Sequence, residues 1–133
     1  MRIGIIGAGA AGLMAAATIL ENARFNDEVF IFEKNPSIGK KILITGGGRC
    51  NVTTGIRDIK EVLKKYPRGS RFLSFAMHNF SPFDMYKWVE KHGVKLKIEE
   101  DNRVFPKSDD GGDIVGIFEK ILKDKRVKLS LNT

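Results

Sequence analysis

A glycine motif near the start of the chain separates a short apolar run from a helical pattern. Residues 3–6 (Ile-Gly-Ile-Ile) are suited to a buried strand, and residues 7–12 follow at once as Gly-Ala-Gly-Ala-Ala-Gly, a G-x-G-x-x-G element. From Ala10 to about Asn22 the apolar side chains recur at helical spacing. A glycine element that ends a strand and opens a helix is typical of a turn that approaches a ligand closely.

The three glycines of this motif have distinct physical roles in such a turn. Gly7 makes the sharp turn, Gly9 lets a pyrophosphate come close to the backbone, and Gly12 lets helix and strand pack together. The N–H groups and the dipole at the start of the helix attract a phosphate anion. The motif therefore predicts a phosphate cradle, and the alternative is a tight strand-to-helix turn that binds no ligand.

An acidic residue at the end of the next strand favours the ligand-binding interpretation. Residues 29–32 (Val-Phe-Ile-Phe) form a second apolar run that ends at Glu33, 21 residues after Gly12 and close to the usual spacing of about 20. Two apolar strands around a helix indicate a βαβ unit with a parallel sheet. Glu33 is expected to accept hydrogen bonds from ribose hydroxyls and to repel a 2′-phosphate. This disfavours NADP and leaves FAD and NAD both open.

A second glycine-rich segment follows at residues 39–53, within a loop that we expect to span residues 34–54. Three consecutive glycines, residues 46–48, precede Arg49 and can aim several N–H groups at one anion or one flat ring. Lys40 and Lys41 add positive charge near the same ligand. The alternative is a flexible loop with a solvated charge cluster. Because an ordinary NAD domain needs no such loop after its second strand, the segment favours a longer cofactor.

These segments together resemble one family. Residues 41–53 (Lys-Ile-Leu-Ile-Thr-Gly-Gly-Gly-Arg-Cys-Asn-Val-Thr), the pair Glu33-Lys34 and residues 103–109 (Arg-Val-Phe-Pro-Lys-Ser-Asp) are similar to the BaiN/RdsA-type NAD(P)/FAD-dependent oxidoreductases. These are bacterial and archaeal flavoproteins with a glutathione-reductase-like FAD domain. The resemblance spans residues 1–133, and members of the family are much longer. It implies that this chain is the N-terminal part of an FAD-binding domain, without the inserted domains and the C-terminal return.

The resemblance implies FAD as the cofactor and assigns it a set of residues. In the intact enzyme the flavin is expected to accept a hydride from a nicotinamide donor, NAD(P)H, and to pass electrons to a small organic substrate. The chain alone is expected to be inactive, and no catalytic residue is assigned. The implied cofactor-binding residues are Gly7, Ala8, Gly9, Ala10, Ala11, Gly12, Glu33, Lys34, Lys40, Lys41, Thr45, Gly46, Gly47, Gly48, Arg49, Cys50 and Asn51.

The rest of the chain predicts further helices and a small antiparallel hairpin. Amphipathic patterns mark helices near residues 56–66, 72–80, 82–92 and 113–124, with Phe72 on an apolar stripe. Residues 94–98 alternate and are followed by a turn and a return at residues 103–105. Alternation at residues 127–131 predicts a last strand. The fold class is therefore α/β, a Rossmann-like FAD/NAD(P)-binding fold.

The positive charge of the chain raises the question of RNA binding, and its apolar runs are too short for a membrane-spanning helix. The net charge is +7, and residues 57–71 hold six Lys or Arg against two acids. The alternative to an enzyme acting on a small molecule is a dinucleotide-binding module without turnover, such as one within an RNA-modifying flavoprotein. A solvated face opposite an apolar helical stripe explains the cations better than an RNA-binding patch does. No run of about 18 apolar residues occurs, so no membrane-spanning helix is expected.

Several isolated residues have ordinary structural interpretations. Cys50 is the single cysteine, which excludes an internal disulfide, fits a cytoplasmic location and favours a small residue lining the cofactor over a redox relay. His78 and His92 are expected on helices as surface or packing residues. The acids at 109, 110 and 113 are better explained by helix capping, with Ser108 or Asp109 as the cap, than by a metal site.

Overall fold

The computed structural model describes residues 1–22 and 27–133. Residues 25–27 (Phe-Asn-Asp) interrupt the helical pattern of the sequence, and the first two of them lie outside the described residues. The chain divides into two compact units, residues 1–50 with 110–133, and residues 51–109. In chain order the elements are β1 (Arg2–Ile6), α1 (Ala10–Asn22), β2 (Glu28–Glu33), β3 (Thr53–Thr54), α2 (Ile59–Lys64), α3 (Ser70–Asn79), α4 (Pro82–Lys91), β4 (Leu96–Ile98), β5 (Arg103–Pro106), α5 (Gly112–Ile121) and β6 (Val127–Leu131).

The first unit is a parallel sheet with helices, as the apolar runs predict. Its strands lie in the order β1-β2-β6, with Ile3 opposite Val29 and Ile31 opposite Leu129. This is the strand order of the first half of a Rossmann sheet. Helix α1 follows β1, and α5 precedes β6, so each parallel pair is connected through a helix. The buried core of this unit includes Leu13, Ala16, Ala17, Val29, Ile31, Ile114, Ile117 and Phe118.

The segment expected to be a loop, residues 34–54, contains regular structure. Residues Ile42–Gly48 form 3-10 turns around a kink, and Thr53–Thr54 form strand β3. Ile38 and Ile42 are buried, and the Gly39 N–H donates to the carbonyl of Ala8 at 2.8 Å. The segment is therefore packed by its two isoleucines and hydrogen-bonded to the first glycine turn through Gly39, although its sequence shows no helical or strand pattern.

The second unit contains the predicted hairpin, enlarged by one strand. Strands β4 and β5 pair antiparallel with Ile98 opposite Val104, and β3 adds to the other edge of β5. The predicted start of α4 is confirmed, because Ser81 and Asp84 form a reciprocal capping box and Pro82 is the first helical residue. The core of this unit includes Val62, Trp88, Val89, Leu96, Val104 and Phe105.

Helix α3 differs from the prediction in the direction its aromatic side chains face. The periodicity assigns Phe72 to an apolar stripe, but Phe72 is 86% exposed and Phe75 is 81% exposed. Helix α3 has no buried residue, and its less exposed side carries Ser70, Leu73, Ser74 and Met77. Helical spacing shows which residues share a face of the helix. It does not show whether that face packs against another part of the unit.

The capping prediction for α5, Ser108 or Asp109, is wrong by two or three residues. Gly111 occupies the cap position, and Asp110 accepts a hydrogen bond from the N–H of Gly112 at 2.7 Å. Asp109 instead forms an ion pair with Lys97 in the second unit, 2.5 Å between Oδ2 and Nζ. Within residues 1–22 and 27–133, no group of three or more His, Cys, Asp or Glu side chains is arranged to hold a metal ion. In the same ranges no helix is long and apolar enough to cross a membrane.

Candidate functional site

The first glycine turn has the geometry that the motif predicts. Gly7 has φ +94°, and its N–H donates to the Phe32 carbonyl at 2.7 Å, which joins the turn to the end of β2. A Cβ on Gly12 would lie 1.9 Å from the carbonyl oxygen of Gly7, so helix and turn touch where a side chain cannot fit. A Cβ on Gly9 would meet nothing within 4 Å. Gly9 therefore borders open space, where a ligand can reach the backbone.

The carboxylate of Glu33 is hydrogen-bonded to the glycine turn. Glu33 is 7% exposed, and its Oε2 accepts the Ala8 N–H at 2.7 Å. Its Oε1 accepts two donors from Asn35, the backbone N–H at 2.8 Å and the side-chain Nδ2 at 2.6 Å. The backbone N–H groups of Asn35 and Ala8 hold the pKa of Glu33 below its ordinary value, because they stabilise the ionised form. The carboxylate is therefore charged and fixed in orientation.

A cleft of about 360 Å³ opens beside these residues. Seven of the expected cofactor residues line it, namely Gly7, Ala8, Gly9, Glu33, Lys34, Lys40 and Lys41. The other lining residues are Ile6, Phe32, Asn35, Ser37 and Thr133, which the motifs do not indicate. Ala10 and Ala11 are exposed at the start of α1, where the first N–H groups of a helix have no partner within it. The cleft thus combines cationic side chains with Gly9, the residue directly before α1, whereas Ala10, Ala11 and Gly12 do not line it.

The second glycine segment forms a kinked turn of its own. Thr45 is extended, with φ −71° and ψ 151°, whereas Gly46 and Gly47 have φ +58° and +70°. The Thr45 hydroxyl donates to the Ile42 carbonyl at 2.9 Å, and the Thr45 carbonyl accepts the Cys50 N–H at 3.0 Å. Of the described residues, those numbered 45–51 are not among the ones that line the 360 Å³ cleft. Their assignment to a cofactor stays a prediction.

Gly111 supports this turn, although no motif identifies it. Its N–H donates to the Gly48 carbonyl at 2.8 Å. A Cβ on Gly111 would lie 2.8 Å from that same oxygen and 3.3 Å from the Cβ of Cys50. The signal that would have found Gly111 is its position directly before a helical stripe, next to a second glycine.

Arg49, Cys50 and Asn51 follow the three glycines, and each has a different environment in the structure. Arg49 donates from Nε to the Gly46 carbonyl at 3.4 Å. Cys50 is buried, has φ +60°, and burial raises the pKa of its thiol. Asn51 begins the second unit, where its Oδ1 accepts the Val104 N–H at 3.3 Å. A neutral, buried thiol is consistent with a packing residue and not with an activated nucleophile.

The two histidines bond to their own helical segments. The Nδ1 of His78 lies 2.7 Å from the Ser74 carbonyl, and the Nδ1 of His92 lies 2.7 Å from the Trp88 carbonyl. Each is a contact between residues four apart on a helix. This placement agrees with the expectation that both histidines are surface or packing residues.

Comparison with known proteins identifies the family. The HI0933-like protein Rossmann domain matches residues 1–133. The chain belongs to this family. The resemblance to the BaiN/RdsA-type proteins and the Rossmann-like fold class are therefore both confirmed.

Two kinds of HI0933-like relative are similar in sequence. The 3-dehydro-bile acid delta(4,6)-reductase of Clostridium scindens is 32% identical over 128 residues, which is 96% of this chain and 30% of that protein. The ribosomal RNA dihydrouridine synthase of Haemophilus influenzae is 34% identical over 101 residues, 76% of this chain and 24% of that protein. The ribosomal RNA dihydrouridine synthase of Escherichia coli is 36% identical over 90 residues, which is 68% of this chain and 21% of that protein. The chain therefore spans less than a third of the length of these relatives.

A solved structure supports the fold alone. The crystal structure of Thermovibrio ammonificans THI4 superposes with a TM-score of 0.58 over 98% of this chain and 37% of that one. Its sequence identity is 14%, so the likeness concerns the arrangement of helices and strands and not the site.

Proposed function

We propose that this HI0933-like chain binds the adenosine diphosphate half of FAD in the 360 Å³ cleft. The observation that carries the proposal is the open space at Gly9 beside a fixed, ionised Glu33. A pyrophosphate at Gly9 would meet the exposed start of α1, with Ala10 and Ala11, and Lys40 and Lys41 add positive charge. Glu33 would accept a ribose hydroxyl, with Lys34 beside it.

The second glycine segment is proposed to continue the same site. Thr45, Gly46 and Gly47 are exposed, so their backbone is accessible to a ligand. By the family resemblance, residues 45–51 would follow the ribityl chain toward the isoalloxazine ring. The turn at Gly46 and Gly47 supports this role, because backbone N–H groups in a turn can face one anion.

The proposed reaction is reduction of a carbon–carbon double bond by the intact protein of which this chain would be the cofactor-binding part. FAD, when bound, supplies hydride transfer between a nicotinamide donor and an organic substrate. The names of both kinds of relative, a delta(4,6)-reductase and a dihydrouridine synthase, describe products that have lost such a bond. The residues of this chain would bind and orient the cofactor, and none of them is proposed as the acid that supplies the proton.

Titration of the purified chain with FAD tests the cofactor assignment. Binding would be followed by flavin fluorescence and by the flavin absorbance band at about 450 nm. Gly9→Val should abolish binding, because its side chain occupies the space of the pyrophosphate. Gly116→Ala is the matched control, since a Cβ there also meets nothing within 4 Å and Gly116 does not line the cleft. Tight NAD binding without FAD binding, or full FAD affinity in Gly9→Val, would overturn the assignment.

A second candidate, action on RNA, is favoured by the surface of α3. Phe72 and Phe75 are both more than four-fifths exposed, and Arg68 and Arg71 are exposed nearby in sequence. Among the residues that the structure describes, neither arginine nor Lys65 forms an ion pair. Exposed rings with unpaired cations are the combination that binds single-stranded nucleic acid, by stacking and by phosphate contacts.

Binding of a fluorescent single-stranded RNA at several salt concentrations tests this candidate. Phe75→Ala and Arg71→Ala should each weaken binding, and Arg71→Ala should also reduce the salt dependence. Lys120→Ala on helix α5 is the control, because it removes an exposed cation from the other unit. Equal weakening in all three variants, or no binding by the unmodified chain, would reject RNA as a partner of this surface.

A further inference from the structure

Asn35 donates twice to the carboxylate of Glu33, on which the proposed selection of the cofactor depends. Its backbone N–H and its side-chain Nδ2 both donate to Oε1 of Glu33, at 2.8 and 2.6 Å. A carboxylate oxygen has room for about two hydrogen bonds, so Oε1 is filled by one neighbouring residue. Asn35 belongs to neither glycine motif, although it lines the 360 Å³ cleft.

The other oxygen of Glu33 has one acceptor position left. Oε2 accepts the Ala8 N–H at 2.7 Å. Ala8 is 1% exposed, and its carbonyl accepts the Gly39 N–H at 2.8 Å, so this peptide unit is held on both sides. With Oε1 filled and Oε2 half filled, the carboxylate offers a single acceptor position for a hydroxyl and no donor for a phosphate.

We propose that Asn35 is a positioning residue that sets the preference for an unphosphorylated ribose, by fixing the Glu33 carboxylate so that one acceptor position of Oε2 remains for a hydroxyl. This inference rests on the proposed binding of an adenine dinucleotide. Without the Asn35 side chain, Oε1 keeps only the backbone N–H of residue 35, so the carboxylate is held less firmly and can turn its charge away from a 2′-phosphate. Loss of Asn35 therefore weakens discrimination between the two ribose forms more than it weakens binding in general.

Competition with two nucleotides tests the discrimination. ADP and 2′,5′-ADP would compete with FAD for the full chain, in the unmodified protein and in Asn35→Ala. FAD affinity should fall about 3- to 10-fold, as expected for one side-chain hydrogen bond, and the ratio of ADP to 2′,5′-ADP affinity should fall with it. Asn79→Ala is the matched control, because it also removes one side-chain amide donor, here to the Phe75 carbonyl at 2.8 Å, and Asn79 does not line the cleft.

The pH dependence of FAD binding distinguishes a positioning role of Asn35 from a purely structural one, because only the positioning role changes the pH at which affinity is lost. Asn35 and Ala8 lower the pKa of Glu33, as does Lys34, and Lys40 and Lys41 face the same cleft. Because the ionised form binds a hydroxyl, affinity should be lost as pH falls through the lowered pKa. Asn35→Ala removes one of these donors, so its acid limb should lie at higher pH, and Asn35→Asp should move it further by adding a like charge.

Specific results would overturn the inference. They are an unchanged pH profile in both Asn35 variants, or an equal loss of affinity for ADP and 2′,5′-ADP. An independent measurement uses the chain without nucleotide, where the amide proton of Ala8 should exchange faster and shift in NMR spectra of Asn35→Ala. If the unmodified chain binds neither FAD nor ADP, the proposed function fails, while the Ala8 amide still reports whether Asn35 orients Glu33.

Discussion

Alanine substitutions at Gly12 and Gly9 should separate two roles of the first glycine turn. We expect Gly12→Ala to lower the free energy of unfolding and Gly9→Ala to weaken FAD binding. Both residues belong to the same motif, yet their surroundings are opposite. A Cβ at Gly12 would lie 1.9 Å from the Gly7 carbonyl oxygen and 3.2 Å from the Cγ2 of Ile5, whereas one at Gly9 meets nothing within 4 Å. One methyl group should therefore have two different effects.

The magnitude at Gly12 follows from this distance. Real Cβ contacts are essentially never under 3.0 Å, so turn and helix must separate by 1.1 Å, the difference between 3.0 and 1.9 Å. The partner is backbone, and the Gly7 N–H is itself bonded to Phe32 at 2.7 Å, so no flexible side chain can give way. Overpacking of this kind costs about 3 kcal/mol, and the better helix propensity of alanine offsets about 1 kcal/mol.

Gly12→Ala should therefore lower the free energy of unfolding by about 2 kcal/mol, which is about 8 °C in Tm for a chain of this size. Urea and thermal unfolding followed by circular dichroism measure this. Gly9→Ala should leave the unfolding curve unchanged and weaken FAD binding about 10- to 100-fold, because its methyl group overlaps the ligand. Equal stability of both variants would refute the packing argument, and undiminished FAD affinity in Gly9→Ala would refute the pyrophosphate assignment.

Further predictions concern other positions. Gly111→Ala should destabilise the first unit by about 1–3 kcal/mol through its contact with Gly48, whereas Gly116→Ala should be neutral or stabilising by up to about 1 kcal/mol; urea unfolding distinguishes them. Ser81→Ala should cost about 1 kcal/mol by removing the cap of α4, and unchanged stability would contradict the capping box. Cys50 should react with iodoacetamide far more slowly in the native chain than in urea, because burial raises the pKa of its thiol and limits access.

The βαβ unit of β1, α1 and β2 could be predicted because two short apolar runs are separated by a helical pattern and turn residues. Residues 3–6 and 29–32 are almost wholly apolar, which indicates strands, and Gly12 and Glu33 give the spacing of one βαβ unit. The expectation that residues 3–6 form a buried strand is wrong, because β1 has no buried residue and its Ile6 is 85% exposed. The two-unit division could not be predicted, because it depends on residues 110–133 returning to the sheet of residues 1–50. No local pattern records such a return.

The residues that support the candidate site were harder to predict than those that border it. Asn35 acts through its neighbour Glu33, and Gly111 acts on Gly48, which lies more than sixty residues earlier in the chain. Neither belongs to a motif, because its residue type matters only through one contact in the folded chain. Phe72 shows the converse, since its pattern predicts burial and no surface of its unit covers it.

The peptide unit of Ala8 connects these observations into one physical argument. Its N–H donates to Glu33 at the end of β2, and its carbonyl accepts from Gly39 at the start of the second glycine segment. Both glycine segments are therefore tied to one buried backbone unit without any ligand. A site ordered in advance loses less conformational entropy on binding, so a larger part of each phosphate and ribose contact would appear as affinity. Weakening either hydrogen bond should therefore reduce affinity even where no ligand contact is removed.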